Sequence, residues 1–476
     1  MRYEPVIGLE LHIQLDTNSK LFSSSPNHFG QEANENSNEL DLGYPGVLPV
    51  LNEQAVCYAA QFGRAIGAHI NPHAFFMRKN YFYPDLPKGY QISQLDDAII
   101  QGGEVRLEVD GVERVVRINR GQLEEDAGKS VHDIFSDRTG IDLNRAGVPL
   151  IELVSEPDMR SAKEAVAFMR HIHQLVRYLG ISDGNMQEGS FRCDANVSLR
   201  EKGSSELNSR VELKNINSFR FVEQAINIEI ERQSDVMDAG GRVEQETRLY
   251  DAEKQETRTM RTKEEANDYR YFPDPDLLPL DLTEEFLEDI FRKMPELPNA
   301  RKERLMKEHG LDAESAQYLV QDVKTADYFD ALTNKINDGR LAANWIQGEL
   351  ARLLKEQQTT IDASPIDSDV LATLLQRVQD GTISASSGKK LLPLMWAQTC
   401  SVDELIEQHG LKQVNDDGQL QLWVEEVLKS NPAQVEAYRN GQEKMLGFFV
   451  GQVLKRSKGQ ANPKSVSELL LQSLKP

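Results

Sequence analysis

The chain has 476 residues, of which 39% are hydrophobic and 27% charged, and it carries a formal net charge of −22. Such a length exceeds a single core, so two to four domains are expected. The acidity excludes a protein that coats nucleic acid through a broad cationic surface, but not one with local basic patches. No apolar run approaches the roughly 18 residues of a membrane span. The opening Met1-Arg2-Tyr3-Glu4-Pro5 lacks the basic-then-apolar pattern of a signal peptide, so a cytoplasmic protein with no membrane attachment is expected. Cys57, Cys193 and Cys400 lie far apart and form no CxxC pair, which points away from a disulfide framework or a zinc ribbon.

The first element read from the sequence is a strand over residues 6–15. From Leu9 onward it alternates apolar and polar, placing Leu9, Leu11, Ile13 and Leu15 on one face and Glu10, His12 and Gln14 on the other. Alone, such a polar face is most often simply solvated. Residues 22–47 are polar and read as a long surface loop. Residues 77–94, broken by Pro84, Pro87 and Gly89, read as a loop whose Lys79, Tyr81 and Lys88 could grip an anion and stack a base. Strands are expected over 104–109 and 112–119, joined by a tight turn at Asp110-Gly111. Ser161 opens a helix with Glu164 in capping-box position, and Gly180 ends it.

Alternation then returns. Over 191–199, Arg192, Asp194, Asn196 and Ser198 share a face; over 210–214, Arg210, Glu212 and Lys214 do, and the two runs read as an antiparallel hairpin. Cross-strand ion pairing explains part of this. Aspartate and asparagine are poor strand formers, however, and placing both mid-strand suggests a ligand. Asn217 or Ser218 caps a helix running to about Gln233. Five prolines between 273 and 298 mark a domain boundary, beyond which the chain reads as helical, including a continuous helix over 342–357. Asp416-Asp417-Gly418 reads as a hinge. Arg439, Lys444, Lys455, Arg456, Lys458, Lys464 and Lys475 give the last segment a basic bias, a candidate polyanion contact.

No Walker P-loop, dinucleotide fingerprint or GxSxG elbow occurs. What remains is rich in carboxylates: Glu10, Glu124, Glu125, Asp126, Glu152, Asp194 and Glu212, with His12 among them. Magnesium prefers oxygen ligands and keeps several waters, so two or three carboxylates suffice. Together with Lys79, Lys88, Arg192 and Lys214 they suggest nucleotide phosphates held by metal and cations.

The stretch from Asp142 to Glu152, DLNRAGVPLIE, resembles the signature of the B subunit of the aspartyl/glutamyl-tRNA(Asn/Gln) amidotransferases. So do Val6 to Gln14, Asn80 to Gln91, and Arg192 to Ser198. The likeness spans essentially the whole chain. It implies an α+β fold: an antiparallel-sheet cradle similar to the glutamine synthetase catalytic core over residues 1–293, an all-α domain over 294–410, and a small helical, tRNA-contacting tail domain over 411–476. It implies a ligase that uses ATP and Mg²⁺ to phosphorylate the side-chain carboxylate of mischarged Glu-tRNA(Gln) or Asp-tRNA(Asn). Ammonia from a glutaminase A subunit then displaces phosphate, and a small C subunit completes a heterotrimer. By resemblance and ligand type, Glu10, His12, Glu125 and Glu152 are expected at the metal, with Glu10, His12, Glu125 and Lys79 as the catalytic set. Lys79, Lys88 and Lys214 would neutralise phosphate, Tyr81 would line the pocket, and Arg192, Asp194, Asn196 and Glu212 would orient nucleotide or the aminoacyl end. Many relatives carry a CxC…CxxC zinc group in the early loop. Here Ser23, Ser25, Asn38 and Asp41 stand at those positions and supply no thiolate, so no zinc is expected. A non-catalytic tRNA-binding scaffold and a Mg²⁺-dependent phosphoesterase stay open as rival readings.

Overall fold

The structure, a computed structural model, describes residues 2–132, 137–262, 268–398, 400–413, 417–457 and 460–474. It divides into two units, Met1–Leu297 and Pro298–Pro476. In chain order the first contains strands β1 (Tyr3–Gln14), β2 (His69–Ile70), β3 (Met77–Asn80), β4 (Tyr90–Ser93), β5 (Ile100–Gln101), β6 (Glu104–Val109), β7 (Val112–Glu125), β8 (Lys129–Val131), β9 (Gly140–Asp142), β10 (Pro149–Ser155), β11 (Phe191–Glu201), β12 (Val211–Lys214), β13 (Glu246–Asp251), β14 (Glu256–Thr262) and β15 (Phe272–Pro273). Its helices are α1 (Glu53–Ala65), α2 (Ala162–Tyr178), α3 (Phe219–Asp238) and α4 (Glu284–Arg292). The class is mixed α and β.

Among the described residues the main sheet runs in the order β14-β13-β12-β11-β1-β10-β7-β5-β2, with β6 also paired to β7. The expected hairpin of β11 with β12 is antiparallel. One pairing departs from an all-antiparallel cradle: β12 and β13 are parallel. The helix α3 between them supplies the crossover that a parallel pair requires. β1 sits between β10 and β11, antiparallel to both. Its Leu9, Leu11 and Ile13 are at most 1% exposed and join one core with Ile151, Leu153, Ala195 and Val197 from the neighbouring strands and with residues of α2 and α3. Burying each such side chain contributes about 1.5–3 kcal/mol. That apolar face fixes the register, and the register commits the opposite face to Glu10, His12 and Gln14.

Local signals behave as their chemistry requires. Asp110 (φ 53°) and Gly111 (φ 76°) both lie in the left-handed region that a two-residue hairpin turn needs. Ser161 caps α2 by accepting from the Glu164 N–H at 3.2 Å. The Glu164 carboxylate returns one residue early, to the N–H of Arg160 at 2.7 Å. Ser161→Ala should therefore cost about 1 kcal/mol, read as a lowered midpoint in denaturant with an unchanged slope. Ser218, rather than Asn217, caps α3. The segment 77–94 is not simply a loop. β3 and β4 pair within it, both prolines fall in the intervening turn, and β15 joins β3 to make a three-stranded sheet.

The early loop has no helix or strand from residue 22 to 47, and its centre is the Asp41 carboxylate. Ser23 Oγ donates to it at 2.9 Å, Ser25 Oγ at 2.5 Å and the Asn38 N–H at 3.1 Å. Lys20 Nζ lies 3.2 Å away, both side chains being fully buried, and also donates to the Leu143 carbonyl. Gly147 (φ 84°) closes over this group; a Cβ there would stand 2.9 Å from Asp41 Oδ1.

The second unit is helical among its described residues. It has two hydrophobic clusters, one drawn from Leu305 to Ile406 and one from Leu420 to Leu474. The helix expected over 342–357 is interrupted: Ile346–Leu350 form a π turn between helices Gly339–Trp345 and Ala351–Glu356. The hinge expected at Asp416-Asp417-Gly418 is instead, at Asp417, the start of a helix to Ser430; Asp416 lies outside the described residues, as do Lys458 and Lys475 of the basic segment. Arg456 pairs with Glu426 at 2.6 Å.

Candidate active site

The pleat that buries the apolar residues of β1 turns its even-numbered ones to the other side, and the antiparallel register adds their opposites. His12 faces Glu152 on β10 and Arg192 on β11, Glu10 faces Asp194, and Asn196 faces Glu212 on β12. Gln122 faces Glu152, and Leu150 pairs with Glu124 of β7. Five strands thus pool their polar side chains on one surface.

His12 is the hub. Its Nε2 lies 3.6 Å from Glu152 Oε2, 3.8 Å from Glu10 Oε1 and 3.8 Å from Glu124 Oε1. One donor atom from each of Glu10, His12 and Glu152 can be chosen with all three within 4.8 Å of one another, the spacing that a single metal ion requires. Burial opposes a charged imidazole, but the hydrogen bond and charge of Glu152, with Glu124 behind it, outweigh it and push the His12 pKa up to about 9. Burial and the neighbouring Glu152 push Glu10 up to about 7. Burial raises Glu124 as well, again with Glu152 adding to it. Burial also works against a charged Glu152, yet the hydrogen bond and charge of His12 prevail and hold its pKa low. A cluster of buried acids this close carries unmet negative charge, which a divalent cation would relieve. Oxygen donors with one imidazole suit such an ion.

Two lysines border the acids. Lys79, from β3, is half-buried, and desolvation disfavours its charge; Glu124, Tyr271 and Glu152 outweigh that and hold its pKa above the usual lysine value. Among the described residues it has no hydrogen bond or ion pair, only the Tyr269 ring with its centroid 5.2 Å away. Asn80 binds the carbonyls of Tyr269 and Arg270, and Arg78 binds Asp274 and Asp276, each at 2.8 Å, which fastens that aromatic segment over β3. Tyr81 packs edge-on against Tyr269 and Tyr83 and donates its hydroxyl to Gln91. Lys214 lies on the far side, 2.5 Å from Asp194 and 3.1 Å from Glu212, and Glu212 also accepts from Thr247.

Glu125 stands apart from this group. The pleat sends consecutive residues to opposite faces, so Glu124 meets His12 while the Glu125 carboxylate accepts from Lys88 and from the Ile92 N–H. Lys88 is accordingly engaged by Glu125. The place expected for Glu125 beside His12 is held by Glu124, whose other oxygen accepts from Ser93 Oγ at 2.9 Å. Glu152→Gln is expected to weaken Mg²⁺ binding by more than about tenfold, measured by calorimetry, whereas Glu125→Gln leaves Mg²⁺ affinity unchanged and lowers thermal stability instead.

Three further participants are Asp126, counted in the sequence only among the carboxylates, Gln14 and Arg145. Asp126 is buried; burial opposes its charge, but Arg192 and Arg145 hold its carboxyl below the usual range. It accepts from Arg192 at 2.7 Å and Gln14 at 3.1 Å, with Arg145 3.6 Å away, and so fixes the Arg192 guanidinium beside His12. Gln14 is legible on the polar face of β1. Arg145 sits in an irregular segment, where no periodicity marks it.

The acids, the two lysines and the anchored guanidinium together form one charged cluster on the polar face of a sheet. Residues 5–288 match the family described as GatB/GatE catalytic domain and residues 327–474 that described as GatB domain, and the chain belongs to this family. It is 66% identical over 475 residues to the B subunit of the aspartyl/glutamyl-tRNA(Asn/Gln) amidotransferase of Dichelobacter nodosus, covering 100% of this chain and 99% of that protein. It is 55% identical over 476 residues to the protein of the same name from Hydrogenovibrio crunogenus and over 479 residues to that from Pseudomonas fluorescens, with full coverage of both chains in each case.

Proposed function

We propose that this chain is the kinase and amidation subunit of a tRNA-dependent amidotransferase acting on Glu-tRNA(Gln), Asp-tRNA(Asn) or both. The observation that carries the reading is the meeting of Glu10, Glu124 and Glu152 around His12, with the Lys79 and Lys214 ammonium groups at its margins. A free carboxylate is a poor acyl donor because its leaving group would be oxide. In the proposed reaction a side-chain carboxylate oxygen attacks the γ-phosphorus of ATP and ADP leaves; ammonia then attacks the acyl carbon and phosphate leaves. This chemistry needs positioning and neutralisation of charge more than proton transfer.

Glu10, His12 and Glu152, with Glu124 beside them, would hold Mg²⁺, which when bound neutralises phosphate charge. Lys79 would meet the transferred phosphoryl group, and Lys214, kept in place by Asp194 and Glu212, would meet the phosphates behind it. Arg192, held by Asp126, would orient the acidic side chain, and Tyr81 with Tyr269 would wall the pocket against water. A likeness of the cradle to the glutamine synthetase core, partnership with glutaminase A and small C subunits, a tail that contacts tRNA, and a cytoplasmic setting belong to the same proposal. Among the described residues no helix is long and apolar enough to cross a membrane. The early loop fits a zinc-free reading: Ser23, Ser25, Asn38 and Asp41 offer hydroxyl, amide and carboxylate groups, and the Lys20 ammonium stands against the carboxylate.

The test is a transamidation assay with mischarged tRNA, ATP and an ammonium salt. ADP is expected in step with amide product. Amide formation without ATP consumption, or ATP consumption independent of the aminoacyl group, would overturn the reading.

A further inference from the structure

Tyr271 stands one residue before Phe272, which pairs with Arg78 of β3. That register brings it alongside Lys79. The chain is held firmly there. The Asn80 N–H donates to the Tyr269 carbonyl at 3.0 Å, and the Asn80 side-chain amide donates to the carbonyls of Tyr269 and Arg270 at 3.2 and 2.9 Å. Between the two tyrosines Arg270 takes φ 43°, a left-handed conformation uncommon for a residue with a side chain. The two tyrosine rings meet edge-on with centroids 6.1 Å apart, and Tyr269 meets Lys79 through its ring.

Tyr271 is half-buried, and among the described residues its hydroxyl makes no hydrogen bond. A phenol taken out of water usually finds a partner. The charges that bear on this one belong to the site. Burial raises its pKa, Lys79 lowers it, and Glu124 and Glu152 raise it again; the net direction is upward, so the hydroxyl keeps its proton. Other donors around the acids are committed: Tyr81 to Gln91, Arg192 to Asp126, Lys88 to Glu125, and Lys214 to Asp194 and Glu212. Among the described residues Lys79 and Tyr271 have no such commitment.

We propose that the Tyr271 hydroxyl serves the second step of the reaction, donating to the acyl oxygen as ammonia adds. The assignment rests on the function proposed above. The nitrogen lone pair forms the C–N bond, and the C=O π pair moves to the acyl oxygen, which becomes an oxyanion. That pair then restores C=O, and the bond from the acyl carbon to the phosphate oxygen breaks. Phosphate leaves with the bonding electrons and takes a proton from nitrogen. A neutral phenol suits an oxygen that is charged only in passing, because it binds a carbonyl weakly and an oxyanion strongly. A permanent cation such as Lys79 suits the phosphoryl group, which is charged throughout. The competing role is a docking point for ammonia itself. It is disfavoured because ammonia seeks acceptors, and the neighbouring carboxylates accept better than a phenol.

The test uses the assembled complex with Tyr271→Phe, which removes the hydroxyl and breaks no hydrogen bond among the described residues. Amide formation at saturating ammonium is expected to fall about 10²-fold, the usual loss of one oxyanion donor, while the KM for ammonium stays as it is. Transfer of the γ-phosphoryl group from labelled ATP to mischarged tRNA, followed in a single turnover without ammonium, is expected to fall far less. Phosphorylated aminoacyl-tRNA should therefore accumulate in the variant once ammonium is supplied. Lys79→Ala gives the contrast, since it should lower the phosphoryl transfer itself. Equal losses in the two steps, an unmoved amide rate, or a raised KM for ammonium would overturn the assignment. If the unaltered complex transfers no phosphoryl group to aminoacyl-tRNA, the functional reading falls. If it does, and Tyr271→Phe makes amide at the unaltered rate, only the Tyr271 assignment falls.

Discussion

Lys79→Ala is expected to lower ATP-dependent amide formation by about 10²–10³-fold, the usual loss when one preorganised charge at a developing anion is removed. The side chain is half-buried in a part of the sheet crowded with acids, yet among the described residues no carboxylate pairs with it directly. The surrounding acids keep the ammonium charged without pairing with it directly, so its donors stay available to a ligand phosphate. The loss should therefore fall on kcat, since the charge on the phosphoryl oxygens is redistributed in the transition state, with a smaller change in the KM for ATP. Thermal stability should fall only modestly, because what is lost is the attraction to Glu124 and Glu152 and the contact with the Tyr269 ring rather than a direct ion pair. An unchanged kcat in the coupled ADP-release assay would remove Lys79 from the reacting centre.

The second large effect lies outside the chemistry. Asp41→Ala strips the fully buried Lys20 of its counter-charge and two serine hydroxyls of their acceptor. Removing one member of a buried pair typically costs about 3–5 kcal/mol, which should appear as a marked fall in the denaturation midpoint of the first unit. Burial already presses the Lys20 pKa downward, so the lysine in the variant should lose its proton more readily still. The double variant Lys20→Met with Asp41→Asn removes both charges and keeps an acceptor for the serines, and it should recover at least half the loss. If Asp41→Ala alone leaves the midpoint in place, the loop is held by something other than this pair.

The strands carrying the site are legible because each alternates cleanly. β1 and β11 show Leu-Glu-Leu-His-Ile-Gln and Arg-Cys-Asp-Ala-Asn-Val, and a core on one face leaves the other no freedom. Parity fails where a strand is read too short. Ending β7 near Asn119 leaves Glu124 and Glu125 without a register, whereas the buried Leu123 assigns Glu124 to the site side. β3 and β4 are hidden by Pro84 and Pro87, which lie in the turn and do not interrupt either strand. Asp126 and Arg145 act through contacts between segments far apart in the chain, so the sequence names Asp126 among the carboxylates and Arg145 within a signature stretch but not the pairing of either with its partners. The π turn at Ile346–Leu350 likewise leaves the apolar spacing of its helix intact, so hydropathy reads straight through it.

The position of β1 also sets a schedule for biosynthesis. Leu9 meets Ser155 across 146 residues, and Glu4 meets Arg200 across 196. At translation rates of about 5–20 residues per second, the strand holding His12 waits roughly 10–40 s for both neighbours to leave the ribosome. Throughout that interval Ile7, Leu9, Leu11 and Ile13 form a solvent-exposed β-prone ribbon with two open edges, the part of a nascent chain most in need of a chaperone.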